Sequence, residues 1–341
     1  MPSTNSFQVR GRTVVVTGGS SGMGLAVARQ LAAKGANVLV VARDKSKLLQ
    51  ALAYLEREAT NPQTQRFYAV SADLTVPSEA SRVVQEALAW NSNSPPDIVW
   101  CCAGCAHPTL FIDTPVSEFS KQMNNNYFTS LHMAHAVLKC WLQDSYKGEV
   151  TSSLAHPVHR DGQSASQPLP RHLIFTASFL AFYSFAGYSS YSPCKAAIRS
   201  LSDSLSQEMN LYAAAHPTEP KIRLHTIFPS GILGDSFKAE NRIKSDLTKF
   251  LEKGEEPQTP DAIAEKSIKG LESGLELVTT DILARLVKGS MLGGSVRGGI
   301  IRGFGDCILA GLMAIIMIFV RADHDKKVRD WGYRFGASGM K

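Results

Sequence analysis

Tyr191 and Lys195 stand four residues apart in the segment Tyr191-Ser192-Pro193-Cys194-Lys195. On a helix this spacing puts both on one face, so an ammonium can sit beside a phenol. A free phenol has a pKa near ~10 and exchanges protons poorly at neutral pH. A neighbouring cation favours the phenolate and lowers that pKa, which suits Tyr191 to acid–base work. Ser178 precedes Tyr191 by 13 residues (191 minus 178). The loop between them can return its hydroxyl to the phenol, so both donors reach one carbonyl oxygen. Ser189 and Ser190 are nearer in sequence but fit an N-capping role at the helix start. Pro193 suits the first helical turn, where its missing N–H is tolerated. Tyr-x-x-x-Lys is common in helices; here it gains weight from a pattern far upstream.

That pattern begins with a short β-branched run at 13–16, read as a buried strand. Thr17-Gly18-Gly19-Ser20-Ser21-Gly22-Met23-Gly24 follows, then an apolar-periodic helix over about 25–34. A strand, a glycine-rich turn and a helix form the context of a dinucleotide site. The glycines let the backbone approach a pyrophosphate, and the helix N-terminus offers N–H donors and positive dipole. The spacing of Gly18, Gly22 and Gly24 is T-G-x-x-x-G-x-G rather than G-x-G-x-x-G. It resembles the short-chain dehydrogenase/reductase family.

A second strand, 37–42, ends at Arg43. An acidic residue there would bind a ribose 2′-hydroxyl, as NAD sites do. Arg43, Lys47 one turn later and the hydroxyls of Ser20 and Ser21 instead suit a 2′-phosphate, which points to NADPH. A third strand at 65–71 leads to Asp73-Leu74, where the family contacts the adenine ring. A helix over about 77–90 and a fourth strand at 97–100 follow. The family has Asn-Asn-Ala-Gly next; this chain has Cys101-Cys102-Ala103-Gly104. Hydrogen bonds made by those amides must therefore come from elsewhere or be absent.

Residues 117–141 read as a long helix containing Asn124-Asn125-Asn126-Tyr127-Phe128-Thr129. The family places a catalytic Asn in such a helix, two or three residues before a small residue. Asn126 with Thr129 fits that register, with Asn124 and Asn125 as neighbouring alternatives. The implied role is to support a water between the active-site Lys and solvent. Residues 145–170 are rich in Ser, Pro, His and Gly and read as a mobile insertion. His156, His159 and His172 match no common metal spacing and read as solvated loop histidines. No metal site is expected.

A fifth strand at 172–176 precedes Ser178. After Tyr191 the chain is helical over about 196–211, with Ile198, Leu201, Leu205 and Met209 as its core face. A sixth strand at 222–228 ends in Pro229-Ser230-Gly231-Ile232. The family has Pro-Gly there, where backbone meets the nicotinamide amide; Ile232 and Ser236 are the candidates here. Alternating strands and helices imply an α/β fold, a doubly wound Rossmann-type parallel sheet. By resemblance, Tyr191 protonates a developing alkoxide and Ser178 holds the carbonyl oxygen. Lys195 lowers the phenol pKa and binds the nicotinamide ribose, and Asn126 completes the proton path. The segment 234–254 is the expected substrate lid, and dimers or tetramers are expected by the same analogy.

The chain of 341 residues is 44% apolar with net charge +6. No basic run interleaved with aromatics indicates nucleic-acid binding. Its six cysteines read as reduced thiols. Cys102 and Cys105 have C-x-x-C spacing without a second pair.

Residues 307–320 are 14 positions without charge. As a helix they span ~21 Å, short of a ~30 Å hydrocarbon core. Extension back to Ile300 gives the length but includes Arg302 and Asp306. The stretch from Ile282 to Val287 looks amphipathic. The tail 321–341 carries six Lys/Arg and three Asp, a net of +3, and suits anionic headgroups. A membrane hairpin or short anchor is expected, with 1–280 as the catalytic domain and 281–341 as a membrane-associated segment. With no apolar stretch at the N-terminus, the catalytic domain should face the cytosol.

The glycine loop, Ala42-Arg43, Asn126-Tyr127-Phe128, the Tyr191–Lys195 segment and the late apolar run most resemble fungal 3-ketodihydrosphingosine reductases. That resemblance implies reduction of a long-chain keto-lipid at the endoplasmic reticulum membrane, early in sphingolipid synthesis. A membrane-bound steroid, retinol or 3-ketoacyl reductase would share nearly every motif. A non-catalytic nucleotide-sensing scaffold would not need Ser178, Tyr191 and Lys195 together.

Overall fold

The computed structural model describes residues 7–148, 168–291 and 299–335. The insertion expected at 145–170 falls mostly on 149–167, outside the described residues, as do His156 and His159. The strands are β1 (Thr13–Thr17), β2 (Asn37–Ala42), β3 (Phe67–Ser71), β4 (Ile98–Cys101), β5 (Arg171–Thr176), β6 (Ile222–Phe228) and β7 (Leu277–Thr279). The helices are α1 (Gly22–Ala33), α2 (Lys45–Glu58), α3 (Pro77–Trp90), α4 (Val116–Met123), α5 (Thr129–Gly148), α6 (Ser192–Ala215), α7 (Asp235–Ile243), α8 (Asp246–Leu251), α9 (Pro260–Glu272), α10 (Ile282–Met291) and α11 (Gly299–Phe335).

All seven strands pair in parallel, in the order β3-β2-β1-β4-β5-β6-β7. Alternate strand residues enter two cores. Val14, Val16, Val38, Val40 and Trp100 join the side covered by α1, α2 and α9. Val15, Leu39, Val41, Val99 and Phe175 join the side covered by α3, α5 and α6. Burial on both faces explains the unbroken apolar runs. The order reverses between β1 and β4, and the crevice at their carboxyl ends is where such sheets bind ligands.

The helix expected at 117–141 is α4 and α5 joined by a π-turn, Asn124–Phe128. The expected core face of α6 is present: Ile198 and Met209 are buried, and Leu201 and Leu205 pack against the same cluster. The seventh strand was beyond the sequence pattern, because three residues show no periodicity. His172 is not a solvated loop residue. It is fully buried in β5, with Nδ1 2.9 Å from Nε2 of His225 on β6. His225 Nδ1 in turn lies 2.9 Å from the Leu275 carbonyl.

Helix α10 is amphipathic as expected: Ile282 and Leu283 are exposed, while Ala284 and Val287 are buried. Helix α11 is 37 residues long. Its Gly303–Val320 stretch is, among the described residues, the one helical span long and apolar enough to cross a membrane by length and composition. Phe304, Ile308, Ile315 and Phe319 are exposed on it, whereas Met313 is buried. The helix packs on α10, and its Trp331 ring lies 5.5 Å from Phe250 of α8.

Candidate active site

The glycine loop is built on close approach. Gly18 has φ +66°, and a side chain there would lie 2.9 Å from the Ala103 backbone nitrogen. A Cβ on Gly24 would lie 2.3 Å from the Gly18 carbonyl oxygen. Thr17 Oγ1 accepts hydrogen bonds from the backbone N–H of Cys102 (3.1 Å) and Ala103 (3.3 Å). These bonds bind β1 and β4 where Asn amides are usual in the family. Cys102 accepts from Thr176 Oγ1 at 3.5 Å, and burial pushes its thiol pKa up. Among the described residues, no three His, Cys, Asp or Glu gather around a common point.

Helix α1 starts at Gly22, three residues before the sequence pattern suggests, and Ser21 precedes it in extended conformation. Nothing lies within 4 Å of the space a Gly22 side chain would take. That opening faces the first turn of α1, whose N–H groups lack intrahelical partners. The arrangement fits a pyrophosphate.

One cleft of about 1030 Å³ is lined by Gly18, Ser20, Ser21, Gly22, Gly24, Arg43, Lys47, Asp73, Leu74, Ser178, Tyr191, Lys195, Ile232 and Ser236. Asp44 caps α2 by accepting from the Lys47 N–H at 3.1 Å. The cap fixes the turn from which Arg43 and Lys47, both exposed, extend. Burial works to raise the Asp73 carboxyl, but hydrogen bonds from Thr75 and the charge of Arg43 hold it below its ordinary value. Ile232 is set by a bridge to Gln258: Gln258 N–H donates to Gly231 and Leu233 N–H donates to Gln258, at 2.9 and 2.8 Å. Ser230, extra to the family pattern, also lines the cleft and donates to Asp281 at 2.5 Å.

Asn126 lies behind the cleft wall, fully buried in the π-turn, while Asn124 is exposed. Its Nδ2 donates to the Cys105 carbonyl (2.8 Å) and its Oδ1 accepts from the Cys105 N–H (3.2 Å). This clamp distinguishes Asn126 from its neighbours. A Cβ on Gly104 would lie 2.6 Å from Asn126 Oδ1 and 3.3 Å from Lys195 Nζ.

Helix α6 begins at Ser192, so Tyr191 is its cap residue. Neither Ser189 nor Ser190 caps it, contrary to the sequence reading. Ser190 Oγ donates to the His107 carbonyl at 3.1 Å, and Ser189 Oγ is buried without a hydrogen-bond partner. Pro193 falls in the first turn as expected. Lys195 is buried; its Nζ donates to the Thr176 carbonyl (3.0 Å) and lies 5.4 Å from the Tyr191 ring centroid. Burial lowers the Lys195 pKa to about 8. The phenol does not behave as its cationic neighbour alone would dictate. Burial and the Glu240 carboxylate raise the Tyr191 pKa above its ordinary value, and Ser178 offsets part of this. Desolvation is the largest of these causes.

The loop from Ser178 to Tyr191 is held by rings. Phe182 packs on Phe228 at 4.2 Å, Phe185 meets Tyr188 edge-on at 5.2 Å, and Tyr188 lies 6.2 Å from Tyr191. Ser178 Oγ accepts from the Leu180 N–H at 3.2 Å, which turns the chain back. The 235–251 segment docks on this loop. Tyr188 OH donates to Glu252 at 2.5 Å, Lys244 pairs with the same carboxylate at 2.7 Å, and Thr248 Oγ1 donates to the Ala186 carbonyl at 3.2 Å. Sequence reasoning missed Tyr188, Glu240, Lys244 and Glu252. They are ordinary polar residues until α7 and α8 fold over the cleft.

Gly187 is the seat of that docking. It has φ +101°, and its Cβ would fall 2.2 Å from Thr248 Oγ1. Gly187→Ala is expected to loosen α7 and α8, raising their amide hydrogen exchange at least ~10-fold while leaving β1–β6 protected. Unchanged exchange in α7 and α8 would show that the contact does not hold the segment.

Residues 12–165 match the family model described as short chain dehydrogenase. The chain is 46% identical to a 3-ketodihydrosphingosine reductase of Aspergillus fumigatus, over 98% of this chain and 88% of that one. It is 38% identical to a 3-ketodihydrosphingosine reductase of Neurospora crassa, over 98% and 86%. A short-chain type dehydrogenase/reductase from Mycobacterium ulcerans has the same fold: TM-score 0.62 at 19% identity, over 80% of this chain and 89% of that one. With its parallel sheet, glycine loop and near full-length relatives, the chain belongs to the short-chain dehydrogenase family, beside the 3-ketodihydrosphingosine reductases of fungi.

Proposed function

We propose that the protein is an NADPH-dependent reductase that converts 3-ketosphinganine to sphinganine in sphingolipid synthesis. The observation that carries this reading is the meeting of glycine loop, Ser178, Tyr191 and Lys195 in one cleft. The named relatives, 46% and 38% identical, supply the substrate.

When bound, the reduced nicotinamide supplies a hydride to the carbonyl carbon. The loop from Gly18 to Gly24 and the start of α1 hold the pyrophosphate. Arg43 and Lys47 hold the 2′-phosphate; neither makes an ion pair within 4.0 Å among the described residues, so both are available. Asp73 and Leu74 border the adenine, and Ile232 and Ser236 border the nicotinamide end. Ser178 donates a hydrogen bond to the substrate carbonyl oxygen. Tyr191 gives its phenolic proton to that oxygen as charge develops, so the carbonyl becomes a secondary alcohol. Burial keeps the phenol protonated until then. The Lys195 ammonium stabilises the phenolate left behind, and its pKa of about 8 lets it pass a proton on near neutrality. Asn126 fixes the Cys105 backbone beside Lys195, where a relay to solvent would run.

Residues 1–280 form the catalytic domain and 281–341 the membrane-associated segment. The exposed apolar side chains of α11 support a membrane anchor; an endoplasmic reticulum location with the catalytic domain facing the cytosol is the setting this reading takes. A homodimer or homotetramer is the assembly the family analogy supports.

NADPH oxidation in detergent, compared across a 3-keto long-chain base, a 3-ketosteroid and a 3-ketoacyl substrate, tests the substrate. The long-chain base should have a kcat/KM at least ~10-fold above the others. A higher value for steroid or ketoacyl would replace the proposed substrate. Removing a charge-assisted contact costs about 1.5–3 kcal/mol, so Arg43→Ala should raise the KM for NADPH ~10–150-fold. The KM for NADH should stay within ~2-fold, and an equal rise for both would exclude the 2′-phosphate role.

A further inference from the structure

Carbonyl reduction needs positive or hydrogen-bonding groups around the oxygen that gains charge. Glu240 is the opposite. It stands on α7, lines the same cleft as Tyr191 and is half-buried. Of the charged groups around Tyr191, its carboxylate acts most strongly on the phenol, and it acts on Tyr188 too. It therefore shares a cleft, and its field, with the atom that delivers the proton. A bare negative charge there resists formation of phenolate and alkoxide alike.

The two charged groups that act on Glu240, Lys244 and Glu252, are engaged with each other. Glu252 takes the Tyr188 hydroxyl and the Lys244 ammonium, and the Lys244 side chain is 1% exposed. Glu240 makes no side-chain hydrogen bond and no ion pair within 4.0 Å among the described residues. Burial pushes its carboxyl up to about 7, against the pull of Lys244 and with the push of Glu252. A half-buried carboxylate without a partner is unfavourable unless a cation arrives with the ligand. Such a cation would also cancel the penalty on the phenol.

A 3-keto long-chain base carries that cation. Its 2-ammonium is on the carbon bonded to the carbonyl carbon, so a carboxylate lining the cleft of Tyr191 meets the nitrogen of a substrate whose oxygen the phenol holds. We propose that Glu240 is the residue that recognises the substrate amine, pairing with the 2-ammonium and so selecting α-amino ketones over ketones of the same chain length that lack it. The assignment rests on the reading of the chain as a 3-ketosphinganine reductase. It deepens that reading by giving the substrate class a specific contact: a ketone without the amine leaves Glu240 unpaired beside the reacting oxygen.

Wild-type enzyme and Glu240→Gln are compared with 3-ketosphinganine and with its 2-deamino analogue, in one detergent, with NADPH. Wild type should favour the amino ketone in kcat/KM by at least ~10-fold. Glu240→Gln should raise the KM for the amino ketone ~10–100-fold and leave the deamino ketone within ~3-fold or improve it. Fluorescence titration with NADPH reports whether the variant's nucleotide site is intact. Equal losses on both ketones with NADPH binding retained, or no loss on either, would overturn the assignment. If the variant does not bind NADPH, the wild-type comparison decides: equal kcat/KM for the two ketones overturns it, and a preference for the amine upholds it. Wild type that reduces neither ketone, yet reduces a steroid or ketoacyl substrate, contradicts the proposed function itself and removes the basis of this one.

Discussion

The backbone of residues 102–105, just past β4, is gripped from both sides, and the site depends on that grip. On the nucleotide side, Thr17 Oγ1 accepts two of its N–H groups, Gly18 packs against it with no room for a Cβ, and Gly24 packs as tightly on Gly18. On the chemical side, Asn126 holds the N–H and carbonyl of Cys105, and Gly104 leaves just enough space for Asn126 and Lys195. The same few atoms thus set the distance between glycine loop and lysine. Because interiors are close-packed, a methyl group added at this junction would shift one site relative to the other.

The charges of the cleft follow from how little water reaches them. Lys195 is held by a backbone carbonyl rather than a carboxylate, so burial lowers its pKa to about 8. The phenol of Tyr191 is pushed the other way by the same burial and by Glu240. A protonated phenol beside an ammonium that titrates near neutrality is a donor with its own resupply. The pair is poised by desolvation, and the charge that spoils the balance, Glu240, sits where a cationic substrate would restore it. The segment carrying Glu240 rests on the loop before Tyr191 through Tyr188, Gly187 and Thr248, and Phe250 beyond it meets Trp331 of α11. The cleft and α11 are therefore joined by one short segment.

Local patterns were legible from the sequence. A β-branched run, a glycine turn and an amphipathic helix identify β1, the loop and α1, and the family resemblance picks out Ser178, Tyr191 and Lys195, which the fold brings to one cleft. The place of Arg43 at the cleft was legible because a strand end is a definite place. What was not legible depends on distant partners. Three consecutive asparagines look alike until burial separates Asn126 from Asn124. Ser190 resembles a helix cap, yet its partner is the carbonyl of His107, 83 residues away in sequence. His172 stands beside a loop rich in histidine, and only its pairing with His225 across β5 and β6 explains its burial. The phenol's direction of shift was misjudged because spacing reveals the cation but not the desolvation or Glu240.

The central claim is that Tyr191 delivers the proton in a cleft whose nucleotide site is independently formed. The direct measurement is the turnover of Tyr191→Phe with a 3-keto long-chain base, alongside its affinity for NADPH. Loss of the donor should lower kcat by ~10²–10⁴ with NADPH affinity changed by less than ~3-fold. Turnover within a few-fold of wild type would contradict the account.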